Sequence, residues 1–439
     1  MNEPAQHAAS ANDAIVIGSG LAGKAACIHL AKAGLRVICI ESAAATRPAV
    51  GESLDWSAPE LLRVVGLPME HLVETQVATW KRYVTLRMRD GCSAHYVPTP
   101  SLAGLPFHIE LRTLHVDRTR LDAELAKLVA EHGVTVVHEK ISSVERQGER
   151  IVSMCTGDGS KLSAPWFIDA SGFGTSLLGR ELDLPVIYQG PAKVAAWKYF
   201  TVPESIEGTT LYMDPKPSEY LDWLWEIPVQ THMVSVGYIT TGAAMKKKRE
   251  KGLSVEEIFR EQLAKFPRFE PLLQSSAPDD LNVTSFRCRV HSRTSGPNWL
   301  ITGEAASMVD PITSNGVTAA LRQAAEASAL ILKYQKRGKL PLLARALYSC
   351  RIVQLAKFFN GGIEKIVYEP AVRNRIGLQT SGTAYTSPAW TMNVVYARLK
   401  PKGIFKTFLL AAILSAFRCA AWVCYRFCSQ FPRDANAAT

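Results

Sequence analysis

No stretch of this sequence reaches the ~20 consecutive apolar residues that a membrane-spanning helix needs. The longest candidate, 407–417, is followed by Arg418 and then Arg426. Nine cysteines contain no CxxC pair, and their number is odd. That argues for reduced thiols in a cytoplasm over a disulfide framework or a zinc site. His108, His115, His138 and His291 are far apart, so no metal is expected. No GxSxG nucleophile elbow occurs, which argues against a hydrolase. There are no repeats, no low-complexity linker, and no basic motif interleaved with aromatics of the kind that binds nucleic acid. Residues 1–13 lack an apolar core, so no secretory signal is expected.

The 439 residues are 47% hydrophobic and 21% charged, ordinary for a globular chain. The net charge is +10. Part of it lies in the run Lys246-Lys247-Lys248-Arg249-Glu250-Lys251, read as a solvated loop or helix start. A second basic zone, Arg398, Lys400, Lys402 and Lys406, precedes the apolar stretch at 407–417. These charges fit solubility, an acidic partner or a membrane surface.

The densest signal is near the start. Gly18-Ser19-Gly20-Leu21-Ala22-Gly23 follows the apolar run Ala14-Ile15-Val16-Ile17 and opens a helix-like stretch, 24–33. A second apolar run, Val37-Ile38-Cys39-Ile40, ends at Glu41. Strand, phosphate-cradling turn, helix, strand and ribose-binding carboxylate then occur in the order a dinucleotide needs. Gly18 permits the tight turn, Gly20 admits the pyrophosphate, and Gly23 lets the helix lie on the strand. The helix N-terminus adds partial positive charge.

Further along, 117–131 reads as a helix, with Leu121, Leu125, Leu128 and Val129 on one face, and 134–137 as a strand. Short strand-like runs at 141–145 and 150–155 flank a turn at Gln147-Gly148, and residues 190–240 carry β-type patterning. Helices are predicted at 255–266 and 317–333. Nucleotide-type elements thus flank a β-rich insertion. The predicted fold is α/β: a Rossmann-type dinucleotide-binding domain from 12–90, 110–180 and 285–335, an inserted substrate-binding antiparallel sheet from 91–109 and 181–284, and a helical region at 336–439.

Other motifs are scattered through the same stretch: Gly51-Glu52-Ser53; Val116-Asp117-Arg118; Asp169-Ala170-Ser171-Gly172 with Ser176; Trp223-Leu224-Trp225-Glu226-Ile227-Pro228; Gly303-Glu304-Ala305-Ala306; and Met308 to Gly316, including Asp310, Pro311 and Ser314. Together with the glycine loop they resemble the FAD-dependent monooxygenases with a para-hydroxybenzoate-hydroxylase-like fold, and within them the flavin-dependent halogenase branch. The resemblance covers about residues 12–335.

It implies FAD as cofactor, held by Gly18, Gly20, Gly23, Glu41, Ser53, Arg118, Asp169, Gly303, Glu304, Pro311, Ser314 and Gly316. Glu304 stands where the family carries Asp, and Met308 where it carries Phe. The WxWxIP segment is the halogenase signature, with Trp223 and Trp225 as pocket walls; two tryptophans two apart on a strand also suit a core. Lys81, after Trp80 and thirty residues beyond Gly51, matches the lysine with which halogenases handle hypohalous acid; a strand-edge pair is the plainer reading. Thr313 occupies the position where tryptophan halogenases carry a glutamate.

The resemblance implies O2 chemistry through a flavin C4a-hydroperoxide in a dry pocket. Lys81, Trp223 and Trp225 are the candidate catalytic residues. Hydroxylation of an electron-rich aromatic (an indole, tryptophan or phenol, free or within a peptide or protein) is the first expectation and halogenation the second. A geranylgeranyl-reductase-like flavoprotein at a membrane is the third. No second glycine fingerprint appears, so reducing power comes from transient NAD(P)H or a separate flavin reductase. The expected location is cytoplasmic, with possible peripheral membrane contact through the C-terminus.

Overall fold

The computed structural model describes residues 12–42, 51–89, 91, 93–96, 112–172, 174, 176–216, 218–275 and 281–370, with isolated positions at 408, 412 and 416. The basic zone at 398–406 and the rest of the apolar stretch after it lie outside the described residues. No helix among the described residues is long and apolar enough to cross a membrane.

The first apolar runs become the centre of a five-stranded parallel sheet. Its order is Trp299–Ile301, Trp166–Asp169, Ala14–Ile17, Val37–Ile40 and Thr135–Val137. The first four of these strands are buried throughout. Continuous rather than alternating apolar sequence is what a sheet covered on both faces requires. Helix Leu21–Lys32 packs against helix Gly316–Tyr334 and helix Arg118–Glu131. Ala22, Ala25 and Ala26 on the first, and Ala320, Ala324 and Ala327 on the second, are buried. Small side chains let such helices approach closely. Asp117 caps Arg118–Glu131 by accepting from the Arg120 N–H at 3.1 Å.

The β-rich middle forms an eight-stranded sheet. Its order is Ser307–Met308, Asn282–His291, Val186–Thr201, Met233–Thr241, Trp223–Gln230, Gly208–Met213, Tyr83–Met88 and Ser93–Tyr96. Every pairing is antiparallel except Gly208–Met213 with Tyr83–Met88. Tyr83–Met88 comes from the stretch expected to serve the nucleotide domain, and Asn282–His291 straddles its boundary. Both join the large sheet, where most of Tyr83–Met88 and most of the second half of Asn282–His291 are buried. The basic run also differs from expectation. Lys246, Lys247, Lys248 and Arg249 form the last turn of helix Gly242–Arg249, where cations favour the helix dipole.

After helix Leu342–Ala356 the chain continues in π-helical turns, Lys357–Gly361 and Glu364–Tyr368. These lie against the large sheet and are fastened by polar contacts. Asn360 donates to the Met308 carbonyl and to Gln189, each at 3.0 Å, and accepts from the Asp310 N–H at 2.9 Å. Lys193, beside a bulge in Val186–Thr201, is 1% exposed. It pairs with Asp310 at 2.7 Å and Glu364 at 3.3 Å, and its Nζ lies 3.8 Å from the Tyr368 ring centre. Burial works against its charge, but Asp310, Cys288 and Glu364 outweigh it and hold its pKa above the ordinary lysine value. The cluster carries more negative charge than positive. Lys193→Met is therefore expected to lower stability by about 3–5 kcal/mol by stranding Asp310, whereas Glu364→Gln costs much less; denaturant unfolding of both variants checks the difference.

Candidate active site

At Gly18, with φ +91°, an added Cβ would lie 2.4 Å from the Ala170 carbonyl oxygen. At Gly23 it would lie 1.8 Å from the Gly18 oxygen. Neither position admits a side chain. A Cβ at Gly20 meets nothing within 4 Å, so that face of the loop is open. Glu41 reaches back from its strand and accepts from the Ser19 N–H. The loop and its carboxylate are thus brought together as the motif requires.

The distant motifs gather around this loop. Asp169 spends its carboxylate inside the chain: it accepts from Ser171 N and Oγ at 3.0 and 2.6 Å, and from Ser176 Oγ and Leu178 N at 2.5 and 2.8 Å. It shapes the loop that meets Gly18. Gly303, with φ +63°, sits so close to the first helix that a Cβ would lie 2.7 Å from Ala22 Cβ. Arg118 lies against Gly51, 3.7 Å from Asp122. Its charge acts on both Glu52 and Glu304.

Glu304 keeps solvent-accessible surface, yet desolvation raises its carboxyl above the ordinary range against the opposing charges of Arg118 and Arg289. Pro311 opens a tight turn, Ser314 is left-handed with φ 57°, and Gly316 starts a 19-residue helix with no side-chain cap bond. The open glycine loop, the carboxylates of Glu41 and Glu304 and this helix end fit a dinucleotide bearing a flavin.

Lys81 lies at the far side of the same assembly. Strands Ala78–Lys81 and Thr113–Val116 form a two-stranded ribbon that pairs Lys81 with Thr113 and Thr79 with His115. All four side chains therefore share one face. That face packs on the large sheet with segment 52–57 between, and each residue is bonded there. Thr79 donates to the Pro228 carbonyl at 2.7 Å, and Thr113 to the Asp55 carbonyl at 2.8 Å. Lys81 donates to Ser53 Oγ at 2.8 Å and the Leu54 carbonyl at 2.7 Å. Ser314 Oγ also donates to Ser53, at 3.0 Å, which ties the lysine to the Pro311–Gly316 turn.

Lys81 is 2% exposed. Desolvation lowers its pKa to about 7, with Asp55 opposing. Glu52 moves the other way, to about 7, again chiefly through desolvation, although the Tyr199 hydroxyl donates to it at 2.6 Å. An acid and a base both brought near neutrality on adjoining segments mark a candidate chemical site.

Trp223 and Trp225 face one side of the large sheet with ring centres 5.9 Å apart. Their cross-strand partners are Met213 and Leu211, two-residue steps along the strand that carries Thr209. Leu86, Met88, Leu211, Met213 and Ile227 complete a buried apolar face with them. The Trp223 indole donates to Tyr368 at 2.8 Å, and that of Trp225 to Ser235 at 3.1 Å. Both tryptophans are buried with satisfied N–H groups. The site also includes residues that the sequence reading left without a role: Thr209, His115, Lys193, Glu364 and Tyr368. No local signal marks them, because each acts across a long sequence separation.

A family model described as tryptophan halogenase matches residues 112–336, just over half of the chain, and a lycopene cyclase model matches 13–190. The chain is 28% identical over 341 residues to the tryptophan 2-halogenase of Chondromyces crocatus, covering 73% of this chain and 61% of that protein's length. It is 27% identical over 371 residues to the 1H-pyrrole-2-carbonyl peptidyl-carrier-protein chlorinase of Pseudomonas fluorescens, covering 74% and 77% respectively. Similar solved structures include the flavin-dependent brominase Bmp2, with a TM-score of 0.73 at 19% identity over 93% of this chain and 99% of that one. A PltM halogenase mutant in complex with FAD scores 0.69 at 17% identity, over 96% and 93%. These likenesses establish the fold. Together with the family match and the cradle around Gly18, they place FAD as the cofactor, and the chain belongs to the tryptophan halogenase family of FAD-dependent, oxidoreductase-type enzymes.

Proposed function

We propose that this chain is a flavin-dependent halogenase of an electron-rich aromatic substrate, an indole, phenol or pyrrole, taken free or carried on a protein. The observation that carries the reading is Lys81, a buried amino group anchored beside the Ser314 turn at one end of the apolar face that holds Trp225 and Trp223. The curated relatives named above are halogenases, which reverses the order expected from the sequence: halogenation now precedes hydroxylation.

Bound FAD, reduced by a separate flavin reductase, supplies the activation of O2. The protein's part is positional. The glycine loop, Glu41 and the Gly303–Glu304 turn hold the dinucleotide. Ser314 and Gly316 border its reactive end. The Trp223–Trp225 face excludes water, which protects an electrophile from being quenched. Lys81 holds hypohalous acid through an N–H not spent on Ser53 or Leu54. Thr313, where a glutamate is usual, is buried and brings no carboxylate. The proton leaving the ring therefore needs a different acceptor, and the hydroxide that hypohalous acid releases on giving up its halogen takes it to form water.

Purified protein supplied with FAD, a flavin reductase, NADH, O2 and bromide is expected to brominate members of an aromatic panel, seen as the paired-isotope mass pattern. A gain of oxygen without halogen, at every halide concentration, would reverse the proposal in favour of hydroxylation. Lys81→Met is expected to bind FAD and consume O2 as before while losing halogenated product by roughly a hundredfold or more; unchanged product yield by mass spectrometry would remove Lys81 from the chemistry.

A further inference from the structure

We propose that Thr209 and His115 are positioning residues for Lys81: with Ser53 they form a hydrogen-bond chain of fixed direction that holds the lysine as a donor and leaves one N–H for the reaction. The proposal rests on the role of Lys81 given above and extends it to residues that touch neither flavin nor substrate.

The chain is continuous. Ser53 Oγ lies 2.8 Å from Lys81 Nζ and 2.7 Å from Thr209 Oγ1, which lies 3.0 Å from His115 Nε2. Its direction follows from counting protons. An ammonium donates only, so Ser53 accepts from Lys81. Ser314 Oγ donates to Ser53 as well. A hydroxyl has two lone pairs and one proton, so with both lone pairs engaged the Ser53 proton must go to Thr209. Thr209 has then accepted, and its own proton goes to His115 Nε2. This requires His115 to be neutral and unprotonated at Nε2. Burial, and secondarily the charge of Lys81, depress its basicity well below the usual histidine value and keep it so. Its Nδ1 has no hydrogen-bond partner, so the imidazole contributes through Nε2 alone.

The consequence reaches Lys81. A neutral lysine could accept a proton from Ser53, reversing the bond and swinging the amine. Because Ser53 must satisfy Thr209, and Thr209 must satisfy His115, that reversal is opposed. Two of the lysine's three N–H groups stay on Ser53 and the Leu54 carbonyl, and the third is held in a fixed direction. The titratable groups bearing on the amine are Asp55 on segment 52–57 and His115 on the neighbouring strand; the Thr209 strand and the Ser314 turn bring only hydroxyls.

Thr209 is 3% exposed, so Thr209→Val keeps the shape and deletes the link, while Thr209→Ser keeps the link. Two readouts are taken on the FAD-loaded enzyme. The first is halogenated product per NADH consumed. The second is the titration midpoint of Lys81, followed by NMR on protein carrying 13Cε-lysine, with Lys81→Met for assignment. T209V is expected to bind FAD normally, to lose product yield by roughly tenfold and to lower the Lys81 midpoint by about half a unit or more, whereas T209S stays within about twofold of wild type in yield and keeps its midpoint. A T209V enzyme with wild-type yield and midpoint, or a T209S enzyme impaired as much as T209V, overturns the proposal. If T209V does not fold, His115→Gln takes the same two measurements, with its amide oxygen restoring the acceptor and His115→Leu as the broken link; equal values for the two overturn it. If wild type makes no halogenated product, the halogenase reading fails on its own, and the NMR midpoints alone decide whether the chain positions Lys81.

Discussion

The rest of the site depends on a backbone contact that no side chain permits. Gly23 lies on the Gly18 carbonyl and Gly18 on the Ala170 carbonyl, each too close for a Cβ. That approach seats helix Leu21–Lys32 directly on the strands at 14–17 and 166–169. With the helix so placed, Ala22 meets Gly303, which sets the Glu304 turn, and helix Gly316–Tyr334 packs on the same alanine-rich surface. Four segments separated by up to about 300 residues of chain are thereby brought together. The arrangement is imposed by sterics, which are short-ranged and unforgiving, and needs no strong attractive pair.

The opposite wall uses a different principle. Where the 78–81 and 113–116 ribbon meets the large sheet, the contact is polar: Thr79, Lys81, Thr113 and His115 all point into it. Burying such groups is costly unless each finds a partner, and here segment 52–57, Pro228 and Thr209 provide them. Part of that cost falls on Lys81, whose charge is opposed by burial and only partly restored by Asp55. Its displaced basicity is thus a product of packing. The Lys193 cluster makes the contrast clear: that lysine is as deeply buried, but Asp310 and Glu364 keep it charged. One buried lysine fastens the C-terminal segment, and the other is left poised.

Legibility in the sequence followed sequence distance. The strand–loop–helix–strand unit was readable because Gly18, Gly20, Gly23 and Glu41 fall within one short stretch whose spacing is set by the motif itself. The helices at 118–131 and 316–334 were readable from their apolar periods, whereas the Asp117 cap emerged only from the structure. The large sheet was readable as β pattern but not in its order, since pairing of Tyr83–Met88 with Gly208–Met213 leaves no mark on either strand. The Lys193–Asp310 pair spans 117 positions, Lys193–Glu364 171, and Thr209–His115 94. Charge and hydroxyl content there look like ordinary strand surface until the fold brings them together. Asp169 shows the converse: its motif was legible, and the four bonds its carboxylate makes within the following loop were not.

The most direct test is calorimetric titration of FAD into apoprotein prepared from wild type and from Gly23→Ala. If the close approach at Gly18 and Gly23 builds the cofactor site, wild type takes up one FAD per chain and the variant, folded by circular dichroism, takes up none. Equal uptake by both proteins would contradict the account at its foundation.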